Sequence, residues 1–378
     1  METTRREWLR LSLLGVPLLS NAGGCSRSAE ASELPGLVDE EVRRLLYNEN
    51  PYGSSPQARA AITESMDRIN RYATFSARDF EDLKQLIADQ EGVQPGNVLL
   101  GHGSFEVLTW VSAYFGAKGG ELVVPTPSFD VVGNFGRSIG AMVKPVAIND
   151  DFKMDLASME AQVGSQTKLV TLCNPNNPTG TSCDQDELIG FCDRVSERAF
   201  VLVDEAYIHY LEDWEHRTMA RRIADDKNLL VTRTFSKIYG MAGLRVGFLL
   251  GPSPLIKSLE TRYTLGFPGN MPNTLSVAAA MASLTDGAFL AESRSRNAAR
   301  RSAFCQELTS MGLSYIESDT NFVYFDVEDF PKYKAKMWES RILLAGGWPA
   351  KPNWARVTIS TSPDMDFLVE KMKDKSWL

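Results

Sequence analysis

The chain has 378 residues, 43% of them hydrophobic and 23% charged, which is enough to bury a sizeable core and excludes a disordered or fibrous protein. Against 48 acidic residues stand 40 basic ones, a net charge of −8 without basic clusters, and this argues against nucleic-acid binding, which draws most of its affinity from phosphate neutralisation. The three histidines and five cysteines show no ligand spacing, so no metal site is expected.

In chain order, the first segment reads as an address. Arg5-Arg6 precedes Trp8-Leu9-Arg10, then an apolar stretch from Leu11 to Leu19, then Asn21-Ala22-Gly23-Gly24-Cys25. A basic pair, a short apolar run and small residues make a secretory signal, and the run is shorter than the roughly 20 apolar residues a membrane span needs. The paired arginines resemble the twin-arginine signal, read by an export machinery that carries proteins already folded. Residues 1–28 are therefore expected to direct export, to the periplasm or to a membrane tether through a lipidated Cys25. The alternative is an amphipathic N-terminal helix of a cytoplasmic protein. Cys173, Cys183, Cys192 and Cys305 show no disulfide pattern and are expected to be buried thiols.

Further along, short apolar runs recur at Asn97–Leu100, Glu121–Pro125, Met142–Ala147, Lys168–Leu172, Phe200–Asp204, Asn228–Thr232 and Val246–Leu250. They are mostly unbroken rather than alternating, as in strands covered on both faces. Helical patterns lie between them, such as Arg78–Glu91, Ser104–Ala117 and Gln185–Arg198. This alternation predicts an α/β fold with one large, mostly parallel, seven-stranded sheet. After Pro272 a long helix (Ala288–Met311) leads to strands at Ser314–Ile316, Phe322–Asp326 and Arg356–Ser360 and a final helix, a smaller α+β unit. The expected division is an arm over 29–60, a large domain over 61–271 and a small one over 272–378. The arm contains the turn-rich stretch Tyr47-Asn48-Glu49-Asn50-Pro51-Tyr52-Gly53, placed near the small domain.

Ligands of open α/β sheets bind beyond the carboxyl ends of the strands, and four loaded segments fall there. Gly101-His102-Gly103-Ser104-Phe105-Glu106 is a glycine-rich turn opening a helix, either an anion site or a plain tight turn. Asn174-Pro175-Asn176-Asn177-Pro178-Thr179-Gly180 is a rigid loop whose asparagines are turn formers or amide donors. Phe200–Asp204 ends an apolar strand in a carboxylate with Tyr207 three residues on; Asp204 is a helix cap or the partner of a cationic ring nitrogen. Thr234, Ser236 and Lys237, with Arg245 eight residues later between glycines, combine two hydroxyls and a guanidinium suited to a phosphate dianion with an amine able to capture an aldehyde.

Taken in order, NENPYG, GxGSxE, NPNNPTG, VDEAY, TFSK and AGLRVG resemble the class I/II aminotransferases of fold type I that use pyridoxal phosphate, in the branch that includes histidinol-phosphate aminotransferase. The resemblance runs from about Tyr47 to the C-terminus. It implies that Lys237 forms the Schiff base with the cofactor and moves protons, that Asp204 pairs with the pyridine nitrogen, and that Tyr207 and Asn177 donate to the ring's phenolate oxygen. Phe129 would stack on the ring. Gly103, Ser104, Phe105, Thr234, Ser236 and Arg245 would cradle the phosphate, Phe105 through its backbone. Tyr72 would reach the phosphate of a neighbouring subunit, which implies a homodimer. Arg356 would grip the substrate α-carboxylate, with Asn177 and Tyr52 beside it. The implied activity is transamination between an L-amino acid and a 2-oxo acid. Decarboxylation and oxidation occur on the same scaffold, and fold alone does not choose among them. A non-catalytic cofactor-binding sensor is the competing class, disfavoured because a pure binder has no need of the carboxylate grip.

Two departures bear on the substrate. Histidinol-phosphate enzymes carry an early Pro-Tyr and an arginine after the Ile-Leu-Leu strand, both holding the substrate phosphate. Here the early stretch is Leu34-Pro35-Gly36-Leu37, and Ala345 follows Ile342-Leu343-Leu344. Each lost charge-assisted bond is worth roughly 1.5–3 kcal/mol, so the expected substrate is not histidinol phosphate. Trp348 and Trp354 form an apolar side-chain pocket, or are ordinary core or surface tryptophans.

Overall fold

The computed structural model describes residues 42–71, 77–225, 227–264, 272–374 and 377. The signal segment, Cys25, Leu34–Leu37 and Tyr72 lie outside the described residues.

After the short β1 (Arg43–Arg44), seven strands build the larger sheet: β2 (Val98–Gly101), β3 (Glu121–Thr126), β4 (Met142–Ala147), β5 (Thr167–Cys173), β6 (Phe200–Asp204), β7 (Leu229–Thr234) and β8 (Gly247–Leu250). Their spatial order is β2-β8-β7-β6-β5-β3-β4. All pairings are parallel except those of β8, which runs against both β2 and β7. The unbroken apolar runs are explained by two cores. Along β6, Val201 and Val203 pack with Leu188, Phe191 and Val195 of the helix Gln185–Ser196, while Leu202 packs on the opposite face with Val107, Leu108 and Val111 of the helix Ser104–Gly116.

The smaller unit holds β9 (Tyr315–Ile316), β10 (Phe322–Asp326), β11 (Ile342–Leu343), β12 (Ala345–Trp348) and β13 (Lys351–Thr358). Four of these form an antiparallel sheet in the order β12-β13-β10-β9. Period-2 alternation divides its residues. Val323, Phe325, Ala355 and Val357 join Phe304, Leu308, Tyr333, Leu368 and Trp377 in a separate core. Phe322, Tyr324, Trp354, Arg356 and Thr358 occupy the opposite face. The strand expected at Arg356 starts earlier, at Lys351. Pro352 and Asn353 are poor strand formers, and they extend here because the β12–β13 hairpin sets Trp348 opposite Lys351.

The helix Thr274–Leu284, placed by the sequence pattern in the second unit, buries Val277, Ala279 and Ala280 in the core of the first. Its face of small residues packs against the helix Pro56–Ser65 through Ala58. The arm is tied to the second unit: β1 pairs in parallel with β11, and Leu45 enters the smaller core. Cys173, Cys183, Cys192 and Cys305 are buried free thiols. Among the described residues no single helix is long and apolar enough to cross a membrane, and no three metal-ligating side chains gather.

Candidate active site

Six strands of the large sheet end at one edge, and the antiparallel β8 begins there. The register sets Gly101 and Thr234 on either side of Gly247, so Arg245, two residues before β8, arrives beside both neighbouring strand ends. A cradle follows. Gly103 adopts φ +77° at the start of the helix Ser104–Gly116, and a Cβ there would lie 2.5 Å from Arg245 Nη2. Thr234 Oγ1 donates to Ser236 Oγ at 2.9 Å and accepts from Ser236 N at 3.1 Å. Arg245 donates from Nη1 to Ser236 Oγ at 3.4 Å and from Nη2 to the His102 carbonyl at 3.4 Å. Helix-terminal N–H groups, two hydroxyls and a guanidinium thus converge, which suits a phosphate dianion. The Phe105 side chain is 54% exposed, so what that residue offers the cradle is a backbone N–H.

Next along the edge, Phe129, Ser128, Cys173 and Asp204 line one crevice. Ser128 Oγ donates to Asn176 Oδ1 at 2.8 Å and Asn176 Nδ2 to the Pro127 carbonyl at 3.2 Å, joining the loop after β3 to the loop after β5. Burial pushes the Asp204 carboxyl up to about 7, against the Ala206 N–H and the Lys237 charge. Such a carboxylate regains its charge when a cation comes to it. Burial and the Arg356 guanidinium bring Lys237 down to about 8. Its Nζ donates to the Tyr47 carbonyl at 2.8 Å and lies 5.6 Å from the Tyr207 ring centroid. The buried Tyr207 hydroxyl accepts a hydrogen bond from Asn48 Nδ2 at 2.9 Å, and burial raises its pKa.

Arg356 closes the site from the smaller unit. Its Nη atoms donate to Asn177 Oδ1 and to the Leu46 carbonyl, while its buried Nε has no partner among the described residues. Burial lowers this guanidinium to about 10. An unpaired buried donor beside two committed ones is a place prepared for a carboxylate. Lys237 thus stands near Tyr207, Asp204 and Arg356, Arg356 is bonded to Asn177, Asp204 shares a crevice with Phe129, and the cradle lies at the neighbouring strand ends. Tyr52 lies instead beneath Arg296, 4.9 Å from its guanidinium to the ring centroid, and lines a small crevice with Tyr210 and Asn297.

Two features went unread in the sequence. Asn48 reads in the sequence as part of a turn and of the NENPYG motif with no role of its own, yet at φ 55° it bonds Tyr207 and Thr358 and so joins the arm to both units. The second is a wholly buried charge network. Arg233 meets Glu91 through two bonds of 3.0 and 3.1 Å, Glu205 at 2.9 Å, His209 Nε2 at 3.0 Å and Thr218 at 2.7 Å. Arg233 directly precedes Thr234, and Glu205 directly follows Asp204. The only sequence signal was a charged residue inside an apolar strand.

A family model described as "Aminotransferase class I and II" matches residues 40–372. The histidinol-phosphate aminotransferase of Brevibacillus brevis is 36% identical over 336 residues, covering 88% of this chain and 90% of that protein. An aromatic amino acid aminotransferase of Cutibacterium acnes is 32% identical over 336 residues, 88% of this chain and 92% of that protein. Among solved structures, the histidinol-phosphate aminotransferase of Sinorhizobium meliloti in complex with pyridoxal-5'-phosphate superposes with a TM-score of 0.79 at 26% identity, covering 88% of this chain and 92% of that one.

Removing Arg233 leaves Glu91 and Glu205 buried without a counter-charge. Arg233→Met is expected to destabilise the fold by about 3–5 kcal/mol, read as a lower urea midpoint at unchanged slope. A midpoint equal to that of the unaltered chain would show that the network does not hold the strand ends.

Proposed function

The chain belongs to the class I and II aminotransferases, and from this we propose that it moves the amino group between an L-amino acid, rather than the amino alcohol histidinol phosphate, and a 2-oxo acid. It is a pyridoxal-phosphate-dependent aminotransferase, and its residues fit that cofactor. The cradle of Gly103, Ser104, Thr234, Ser236 and Arg245 suits the phosphate, and Asp204 is a buried carboxylate in want of a cation. When bound, pyridoxal phosphate supplies the electron sink that stabilises charge at the substrate Cα.

The protein's own part follows from the geometry. Lys237, brought down to about 8, is mostly ammonium at neutral pH with a minor share of free amine, the two forms a group needs to accept and return a proton at Nζ. Asp204 would hold the cofactor's ring nitrogen protonated, since a nearby opposite charge favours the charged form. Tyr207, fixed by Asn48, and Asn177, bonded to Arg356, would present polar groups to the cofactor ring. Arg356, with its spare Nε, orients the substrate by its α-carboxylate, and the burial that surrounds these groups keeps water from the reacting centre. The observation that carries the reading is the proximity of a low-pKa lysine, a buried aspartate and an arginine with an unused donor.

The test is spectroscopic. The loaded protein is expected to lose its visible absorbance on adding an accepted amino acid and to recover it with a 2-oxo acid, and borohydride is expected to fix the cofactor on Lys237. A Lys237→Ala protein with undiminished turnover would overturn the assignment. Capture of added pyridoxal phosphate by apoprotein is expected to accelerate as pH rises from 6 to about 8, because free amine at Lys237 and ionised carboxylate at Asp204 both increase over that interval.

We also propose a homodimer and export. The first is supported by the resemblance at Tyr72 and by the exposed Met66 and Ile69 just before it; the second by the sequence of residues 4–25 alone. Sedimentation is expected to give twice the chain mass, and cell fractionation to find the protein outside the cytoplasm. A monomer, or a wholly cytoplasmic protein, would refute the respective proposal.

A further inference from the structure

The face of the smaller sheet that carries Arg356 is aromatic. Tyr324 stands directly opposite Arg356 in the β10–β13 register, and Ala345 stands opposite it on the other side. Around them lie Trp348, with its ring centroid 5.6 Å from that of Tyr324, and Trp354, at 5.0 Å. From the larger unit Phe152 completes the group, 4.8 Å from Trp354 and 6.5 Å from Tyr324. Phe152 is held at φ 59°, a conformation that bulky residues rarely adopt, and its carbonyl accepts from Thr181 Oγ1 at 2.7 Å, just beyond the loop that carries Asn177. The Arg356 guanidinium lies 5.4 Å from the Trp348 ring. The carboxylate grip and the aromatic wall are therefore contiguous.

We propose that this wall receives the substrate side chain and selects an aromatic L-amino acid. The proposal rests on the aminotransferase reading above and specifies its substrate class. Three observations favour a ring. The rings pack edge-to-face and tilted on one another at 4.8–5.6 Å while Phe152, Trp348 and Trp354 stay partly exposed, and exposed ring faces and edges are what another aromatic group packs on. The Tyr324 hydroxyl is buried with no partner among the described residues, which leaves it free to bond a phenol or an indole N–H. A phosphate would find little here: Ala345 supplies only a methyl group beside Arg356, and the cation that approaches the rings from outside is Lys351, whose Nζ sits 4.7 Å from the Phe152 centroid.

The experiment uses the loaded protein and follows loss of the cofactor's visible absorbance with single donors. The donors are L-phenylalanine, L-tyrosine, L-tryptophan, L-alanine, L-aspartate, L-glutamate and histidinol phosphate. The aromatic amino acids are expected to exceed alanine in kcat/KM by about tenfold to hundredfold, the worth of burying one ring, and to exceed histidinol phosphate and the dicarboxylic acids likewise. Trp354→Ala is expected to lower kcat/KM for phenylalanine at least about tenfold more than for alanine. Faster conversion of histidinol phosphate or of a dicarboxylic acid overturns the substrate assignment and leaves the aminotransferase reading standing. An equal loss for phenylalanine and alanine in Trp354→Ala also overturns it. Conversion by no amino acid at all overturns both. The comparison of donors on the unaltered protein decides the matter even if the variant does not fold.

Discussion

The site depends on a cation that solvent never reaches. Arg233 is enclosed with Glu91 and Glu205, each on a different element, and its bonds hold the ends of β6 and β7 at a fixed spacing. Asp204, immediately before Glu205, and Thr234, immediately after Arg233, are the groups that would meet the two ends of the cofactor. A neutral apolar filling would pack the same space and could be as stable, since buried ion pairs gain little net stability. What the charges add is direction. Bidentate bonds tolerate little rotation, so the backbone of both strand ends is set by the bonds as well as by the core. His209, kept uncharged by burial beside Arg233, completes the set without adding a second cation.

Much of this was legible in the chain. The unbroken apolar runs gave away a two-faced sheet, and because ligands gather at carboxyl ends, each loaded segment after such a run pointed at the same edge. Other features were hidden for physical reasons. The reversal of β8 leaves no mark in composition, since Gly247–Leu250 is as apolar as its parallel neighbours; yet that reversal is what brings Arg245 to the cradle. The helix Thr274–Leu284 carries mostly alanine and serine, and small residues say nothing about which core they enter. Tyr52 belonged to a motif whose neighbour Asn48 does reach the site, but a turn of a few residues sends the ring to Arg296 instead. Asn48 itself looked like a turn former, which it is, and its second role depends on contacts more than 150 positions away.

The smaller sheet shows a division of labour that follows from strand geometry alone. Because side chains alternate, one set of residues on β10 and β13 builds a core while the other set is free to meet a ligand. Varying Val323 or Phe325 loosens the smaller core, whereas varying Tyr324 or Trp354 disturbs their packing with Trp348 and Phe152. Ala345, which stands where an arginine is expected, lies on this second face, opposite Arg356.

One consequence concerns the Arg356 guanidinium. Its two Nη groups already bond Asn177 of the large unit and the Leu46 carbonyl of the arm. An arriving carboxylate meets the spare Nε first, and a second bond to either Nη has to compete with ties that staple the lobes to one another. The guanidinium's grip is thus the difference between the bonds it gains and the buried bonds it gives up, so the tie to Asn177 bears at once on how an acid is held and on how the lobes stay joined.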